Sequence, residues 1–504
     1  MYCKLYHIDR FKSSAAQKLC NYKPNVVEYI YNRNIDGDIM DNLLAAKTLD
    51  AALETGADFA ELYVQNKIIR DVELNYKRVD NVSTQLVYGA GLRLMRGVSQ
   101  VYGSTSDVSE QSLLSLAHKL AASFGETRSL HVETFDEIEN PDMHAPKKEQ
   151  SAYTVEQKTE YLKRAEKAIY DVSPLIVNAR VTAAETDERV EIFTVTKDIS
   201  RVVRDRRVRT RVSAAAIASR DGKFESARFS PGLSKGAELY DEVDFVAGAV
   251  GAAEDAVALL DAPECPSGNM PVVIGNGFGG VLFHEACGHP LEGTAISHNN
   301  SPFAGKLGQK IASELVTAID DGTIAYGWGS QNFDDEGEPA TRNVLIKDGV
   351  LTSYMVDAFD GRRMNMKPTG ACRRQSYKYM PTTRMTNTFI AAGKSAPEDI
   401  IAATEYGLYC DAFNGGSVDP VTDKFNFTSS KTYVIKNGKL DHLVKSACLV
   451  GFGYDILPRI DMVGNDVRLA ACMCGAASGS IPAAVGQPTL RVSEMTVGGK
   501  GEQQ

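Results

Sequence analysis

The chain has 504 residues, of which 43% are hydrophobic and 24% charged, and its formal net charge at neutral pH is −10. That length exceeds a single hydrophobic core and predicts about two to four domains. The acidic balance argues against a partner such as nucleic acid or an anionic membrane surface, and no run approaches the ~18 apolar residues of a membrane span. Residues 1–39 lack the apolar core of a secretory signal and read as a loosely attached extension. Nine cysteines, an odd number spread over a long chain, suit free thiols in a reducing compartment, and the cytoplasm is the expected location.

In chain order, Met40 opens a helix with Leu43, Leu44, Ala46 and Leu49 at helical spacing and Gly56 as its stop. An antiparallel meander follows through about residue 106, and a second helix begins behind Ser109 as its N-cap. Residues 125–152 are polar and read as a linker. A helix at about 154–170, a run of strands, and a last helix from Tyr240 to Ala262 make up the middle segment. The boundary "PECPSG" then leads into a glycine-rich, strand-rich remainder. The fold class is therefore α+β: domains at 40–130 and 150–262, then a β-rich domain at 265–504 with a short inserted helix. Within the middle segment, Arg207, Arg209 and Arg211 fall on one strand face. Without interleaved aromatics this reads as a solvated face pairing with nearby acids rather than a nucleic-acid groove.

The inserted helix carries "GFGGVLFHEACGHPLEG" at 277–293. His284 and His289 stand five apart, one more than the H-E-x-x-H spacing that puts two metal ligands on one helix face. Five residues of α-helix rotate by about 140°, so the rings would diverge. Two devices restore convergence: a π-bulge with its wider turn, or a helix that ends at Gly288 in a left-handed conformation. Glu285 follows His284, where H-E-x-x-H peptidases place a general base. A catalytic zinc needs a third protein ligand. Glu292 would qualify only if the helix ran past Pro290, His298 does not fit a metzincin spacing, Cys287 reads as packed, and Cys472 and Cys474 offer thiolates. Spacing alone does not choose among these.

The segment "HEACGHPLEG" resembles the H-E-x-x-x-H motif of the TldD/PmbA peptidase family, in its metal-bearing TldD branch. "FDDEGEPATR", "TGACRRQSY", "PTTRMTNTFI", "GGSVDP" and "VGQPTLRVSEMTVGG" are similar to family segments in the same order, so the likeness spans Met40 to Gly499. The resemblance implies a zinc peptidase with His284, His289 and Cys474 as ligands and Glu285 as base. It implies small unfolded or partly degraded polypeptides and peptide precursors as substrates, held as extended strands. It also implies an inactive TldE/PmbA-like partner subunit in a heterodimer, with a homodimer as the alternative. After Cys474-Gly475 the family commonly has Lys-x-Gly-Gln, whereas this chain has Ala476, Ala477, Ser478 and Gly479. Arg373, Arg374 and Arg384 are candidates for binding substrate or an oxyanion, with structural ion pairs as the alternative. Asn387, Asp334, Asp335 and Glu336 read as turn and scaffold residues. Two rival readings are a non-catalytic assembly subunit and a cysteine peptidase using Cys474 with His289.

Overall fold

A computed structural model describes residues 40–498 apart from 129, 140, 141 and 420, so the expected extension at 1–39 lies outside the described residues. The helices begin where short polar side chains can take up free amides. Helix α1 (Asn42–Ala52) starts behind Asp41, whose side chain accepts from the Leu43 amide. Helix α2 (Glu110–Ala121) is capped by Ser109 as its sequence predicts. Helix α3 (Val155–Val172) opens with a reciprocal box between Thr154 and Gln157. The helix expected from Tyr240 is broken: a short turn at Leu239–Glu242 ends, Asp244 caps a fresh start, and α4 runs Phe245–Leu259.

These four helices cover one face of a single sheet. Strands β1 (Phe59–Asn75), β2 (Arg78–Arg96), β3 (Ser99–Thr105), β4 (Ile176–Thr196), β5 (Ser200–Arg220) and β6 (Lys223–Phe229) pair in the order β3-β2-β1-β4-β5-β6. Because β1 pairs with both β2 and β4, the sheet is continuous through the first two expected segments. Alternation sorts the side chains. Ala60, Leu62 and Val64 face α1 and α2, while Val181, Ala214 and Ala216 lie under α3 and α4.

The alternate positions carry buried polar groups: Glu61, Gln65, Arg93, Glu188, Arg207 and Arg209. They meet the C-terminal region. Arg207 Nη1 donates to Asp335 at 2.6 Å, the Tyr377 amide donates to Gln65 Oε1 at 3.0 Å, and Arg93 spans Glu61 and Glu336. This corrects the expected solvated arginine face. Arg207 does pair with acids, but it and Arg209 are buried under the loop at 326–336. Sequence periodicity identifies a polar face without saying whether water or protein covers it.

The C-terminal part holds two large sheets and a two-stranded one that pairs Cys372–Arg373 with Thr382–Thr383. Strands β7 (Gly268–Ile274), β8 (Ala318–Asp321), β9 (Asn387–Ile390), β10 (Tyr406–Asp419), β11 (Lys424–Lys436), β12 (Cys448–Phe452), β13 (Arg468–Ala476), β14 (Gly479–Gln487) and β15 (Leu490–Gly498) are its main members. The ring β10-β7-β15-β12-β11 closes on itself, because β11 also pairs with β10. The other sheet runs β8-β9-β14-β13 and leaves β13 at its edge. The helical insert sits between the two sheets, with Val281, Leu282, Phe283, Ala286 and Cys287 in the largest core cluster. Among the described residues no helix is long and apolar enough to cross a membrane.

Candidate metal centre

The insert is not one regular helix. A 3₁₀ turn at Gly277–Gly280 leads through Val281–Phe283 into a π-helical turn at His284–Gly288, then a second 3₁₀ turn at His289–Leu291. Of the two devices the spacing allows, the chain uses the π turn: Gly288 stays right-handed at φ −55°. The wider turn absorbs the extra residue, and the two rings meet edge to face with centroids 4.9 Å apart.

The insert is held in place by close backbone approach. A Cβ on Gly280 would lie 2.4 Å from the Gly486 backbone of β14, and one on Gly453 would lie 1.7 Å from the Ala286 carbonyl oxygen. Neither contact is with a flexible side chain, so Gly453→Ala is expected to destabilise the fold by about 3 kcal/mol or more, read as a lower denaturant midpoint. Beneath the turn, Asp423 is fully buried, and its carboxylate accepts from the Tyr454 amide at 2.7 Å. Burial pushes this carboxyl up to about 7, against the lowering effect of the Tyr454 and Gly453 amides. A raised carboxyl binds its proton more tightly in the folded state, so it costs stability as pH rises from about 4 to 7. Asp423→Asn is therefore expected to raise Tm at pH 8, by on the order of 2 kcal/mol of stability, and to lose that advantage near pH 4.

Cys474 reaches the two histidines from β13, 185 residues beyond His289. Its Sγ lies 3.3 Å from Nε2 of His284 and 3.3 Å from Nε2 of His289. The three ligand atoms fall within 4.8 Å of one another. Nitrogen and sulfur bound tetrahedrally to one zinc lie about 3.6 Å apart, so the donors fit such an ion with little movement. Burial alone would raise the Cys474 thiol, but the adjacent His284 and His289 hold it well below the usual thiol range. A low-pKa thiol is a ready metal ligand.

Glu285 is partly buried with Oε2 3.9 Å from His289 Nε2. Burial raises its carboxyl, with the two histidines opposing. Glu292 is not one of the converging donors, in line with a helix that does not continue past Pro290. The 3₁₀ turn carries the chain through Pro290, and Glu292 Oε1 comes within 3.1 Å of the other ring nitrogen of His289. An acid on that nitrogen fixes the ring and its tautomer, a common support for a ligating histidine. The H-P-L-E spacing of three was the available signal. His298 is exposed and bonds to Ser297 and the Thr294 carbonyl, away from the cluster. Cys472 points at the Ala483 carbonyl at 3.0 Å.

The three candidate arginines are buried among protein partners. Arg374 Nη2 donates to the Asp335 carbonyl at 2.7 Å and pairs with Glu61, while its guanidinium lies 4.2 Å from the centre of the Tyr63 ring. Arg373 donates to the Met385 carbonyl at 2.8 Å, and burial pushes its guanidinium down to about 9. Arg384 donates to the Cys474 carbonyl, to Ser478 Oγ at 3.0 Å and to the Gly479 carbonyl at 2.9 Å. It thus pins the turn end of the hairpin that carries the thiolate, on both strands, using Ser478 from the segment where the chain departs from Lys-x-Gly-Gln. Lysine offers a single point contact where arginine offers a fork. Arg384→Lys is expected to weaken metal binding about 10–100-fold, measured by competition with a chromogenic chelator. Asp334, Asp335, Glu336 and Asn387 are scaffold groups, each buried and bonded to backbone or arginine.

Family models match two stretches: the PmbA/TldA metallopeptidase central domain at residues 148–260 and the PmbA/TldA metallopeptidase C-terminal domain at 267–499. The chain belongs to the TldD/PmbA family of metallopeptidases. It is 34% identical over 451 residues to a metalloprotease TldD homolog of Haemophilus influenzae, covering 88% of this chain and 93% of that protein. It is 32% identical over 451 residues to the metalloprotease TldD homolog of Buchnera aphidicola from Schizaphis graminum, with the same coverage of 88% and 93%. Among solved structures, TldE from Thermococcus kodakarensis superposes with a TM-score of 0.70 at 16% identity, covering 90% of this chain and 99% of that one. A Thermotoga maritima protein gives 0.73 at 19% identity, with coverage of 90% and 99%.

Proposed function

We propose that the protein is a zinc-dependent peptidase acting on small unfolded or partly degraded polypeptides and peptide precursors. The observation that carries this reading is the meeting of His284, His289 and Cys474 beside Glu285 on a π turn. A zinc ion held by these three side chains would supply Lewis acidity toward water and the scissile carbonyl. Glu285, next to the ligands, takes the proton of the attacking water and returns it to the leaving amine. Glu292 holds His289 in its ligating tautomer. A thiolate ligand makes the ion a weaker Lewis acid than three nitrogens would, so rate depends more on Glu285 and on substrate positioning.

Positioning follows from the edge of β13. The Ala484 amide donates at 2.9 Å to Thr386, away from β13, and Ala484 stands opposite Ala471. That makes the Ala471–Ala484 pair a non-hydrogen-bonded one. The N–H and C=O groups of Met473 and Gly475 therefore turn to the edge on either side of Cys474, while the Ala471 carbonyl is met by Arg211 Nη2 at 3.5 Å. An extended peptide added there gains main-chain hydrogen bonds with little side-chain selectivity. Partnering has its own support. β3 pairs only with residues 90–96 of β2, so among the described residues the remainder of β2 is an open edge carrying exposed Val79, Val82 and Leu86. Long apolar edges call for a cover, and a TldE-like subunit in a cytoplasmic heterodimer is the proposed one, with a homodimer as the alternative.

The test is a peptidase assay on the wild type, with and without a chelator and with the partner subunit present. Loss of activity on chelation and recovery on adding zinc is the expected result. Chelator-resistant activity would point to a thiol peptidase built on Cys474 and His289. Zinc-free, inactive protein in every assembly would point to a non-catalytic assembly subunit.

A further inference from the structure

A polar cavity lies where β5 meets the loop at 326–336, apart from the histidine–cysteine cluster. Its lining includes His144, Arg206, Arg207, Arg209, Ser234 and Gln331. It has room for about one water-sized occupant, which excludes phosphate, sulfate and organic ligands.

The charges around it do not balance. Arg206 is matched by Asp187 and Glu149, and Arg207 by Asp205 and Asp335. The remaining oxygen of Asp205 accepts from Asn332 at 2.9 Å. Glu188, the acid with the largest effect on Arg209, is engaged by Lys67 and Gln65. Arg209 itself donates only to the carbonyls of Trp328, at 3.1 Å, and Ser330, at 2.9 Å. It is 4% exposed and has no carboxylate partner among the described residues. Buried charges are ordinarily paired, because an isolated one is costly to desolvate.

The other lining groups are short of an acceptor too. His144 Nδ1 accepts from the Tyr326 amide at 3.0 Å, so the neutral ring carries its proton on Nε2. That Nε2 is buried and forms no hydrogen bond beyond the weak pull of the Gln331 backbone, and Nε2 of Gln331 is buried without a partner. The hydroxyl proton of Ser234 is already given to the Gly327 carbonyl at 2.7 Å, so its oxygen is one acceptor set against the donors of Arg209, His144 and Gln331. A water placed here would bring two protons of its own into a site where donors outnumber acceptors. A monatomic anion accepts from every direction and also neutralises Arg209.

We propose that this cavity is a halide site, filled by chloride, which neutralises Arg209 and fastens β5 to the 326–336 loop. The direct test is a crystal of the full chain soaked in sodium bromide, with data collected at the bromine absorption edge. The expected result is an anomalous peak between His144 Nε2, Gln331 Nε2 and the Arg209 guanidinium. In solution, Tm should rise saturably with chloride, by about 3 °C over a hundredfold range, and should not rise with gluconate at equal ionic strength. Gln331→Leu removes one donor without touching the charge and should weaken the chloride response; Arg209→Gln should abolish it. A water refined in the cavity of the bromide crystal, with no anomalous peak, would overturn the proposal. So would equal Tm values in chloride and gluconate.

Discussion

Glu285→Gln is expected to lower peptide hydrolysis about 10³-fold while leaving the bound metal unchanged. The carboxylate sits beside the ligands without being one of the three converging donors. Glutamine keeps its size and can still hydrogen-bond, but it cannot take a proton from water. General-base catalysis contributes about 10²–10⁴-fold, and a thiolate-bearing site leans on it toward the upper part of that range. The measurement is kcat/KM on an unstructured peptide, with metal content from elemental analysis of the same samples. A variant with full activity would sink the assigned role. A variant that lost both zinc and activity would show instead that Glu285 holds the ion.

The second large effect concerns Cys474→Ala. Removing Sγ takes one of three donors and leaves His284 and His289 facing a gap. Losing an outer partner of a ligand costs about 10–100-fold in affinity, and losing the ligand itself should exceed that. Zinc at a hundredfold above its dissociation constant would stabilise the wild type by about 2.7 kcal/mol. The variant should show no such shift at the same zinc concentration, and no hydrolysis. Retained zinc-dependent stabilisation in the variant would mean that the third ligand lies elsewhere. Because alanine at 474 also removes a thiol nucleophile, chelator sensitivity of the wild type separates the metal and thiol readings.

The π turn was legible in the sequence because it follows from counting. Two ligand-type residues five apart cannot share an α-helical face, and a local change of pitch brings them together. The alternative at Gly288 could not be dismissed from sequence, since glycine permits both conformations. Cys474 was legible only through family likeness, because a contact between β13 and the insert leaves no local pattern in the chain. The strand and helix positions followed hydrophobic spacing and caps such as Ser109 and Thr154. Burial of the polar stripe did not. Arg207, Arg209, Arg373, Arg374 and Arg384 look like exposed or substrate-facing groups until their partners from distant segments are known. Glu292 is no metal ligand, as Pro290 implies, but its place beside the other nitrogen of His289 was not legible, because proline at the start of a 3₁₀ turn has no amide to lose.

The separation of the ligands along the chain has a thermodynamic consequence. The histidine pair belongs to the insert that follows β7 of the closed ring, whereas Cys474 belongs to the edge strand of the other sheet. An ion shared by them would add a cross-link between two sheets already joined by packing, by the β14–β15 connection and by Gln487 reaching the Gly275 carbonyl at 3.2 Å. Its binding free energy is then also cohesion energy of the C-terminal half. With the proposed ion in place, hydrolytic competence and the cohesion of the two sheets would rise and fall together. Stripping the ion would loosen the β13–β14 hairpin first, where the edge strand has a neighbour on one side only.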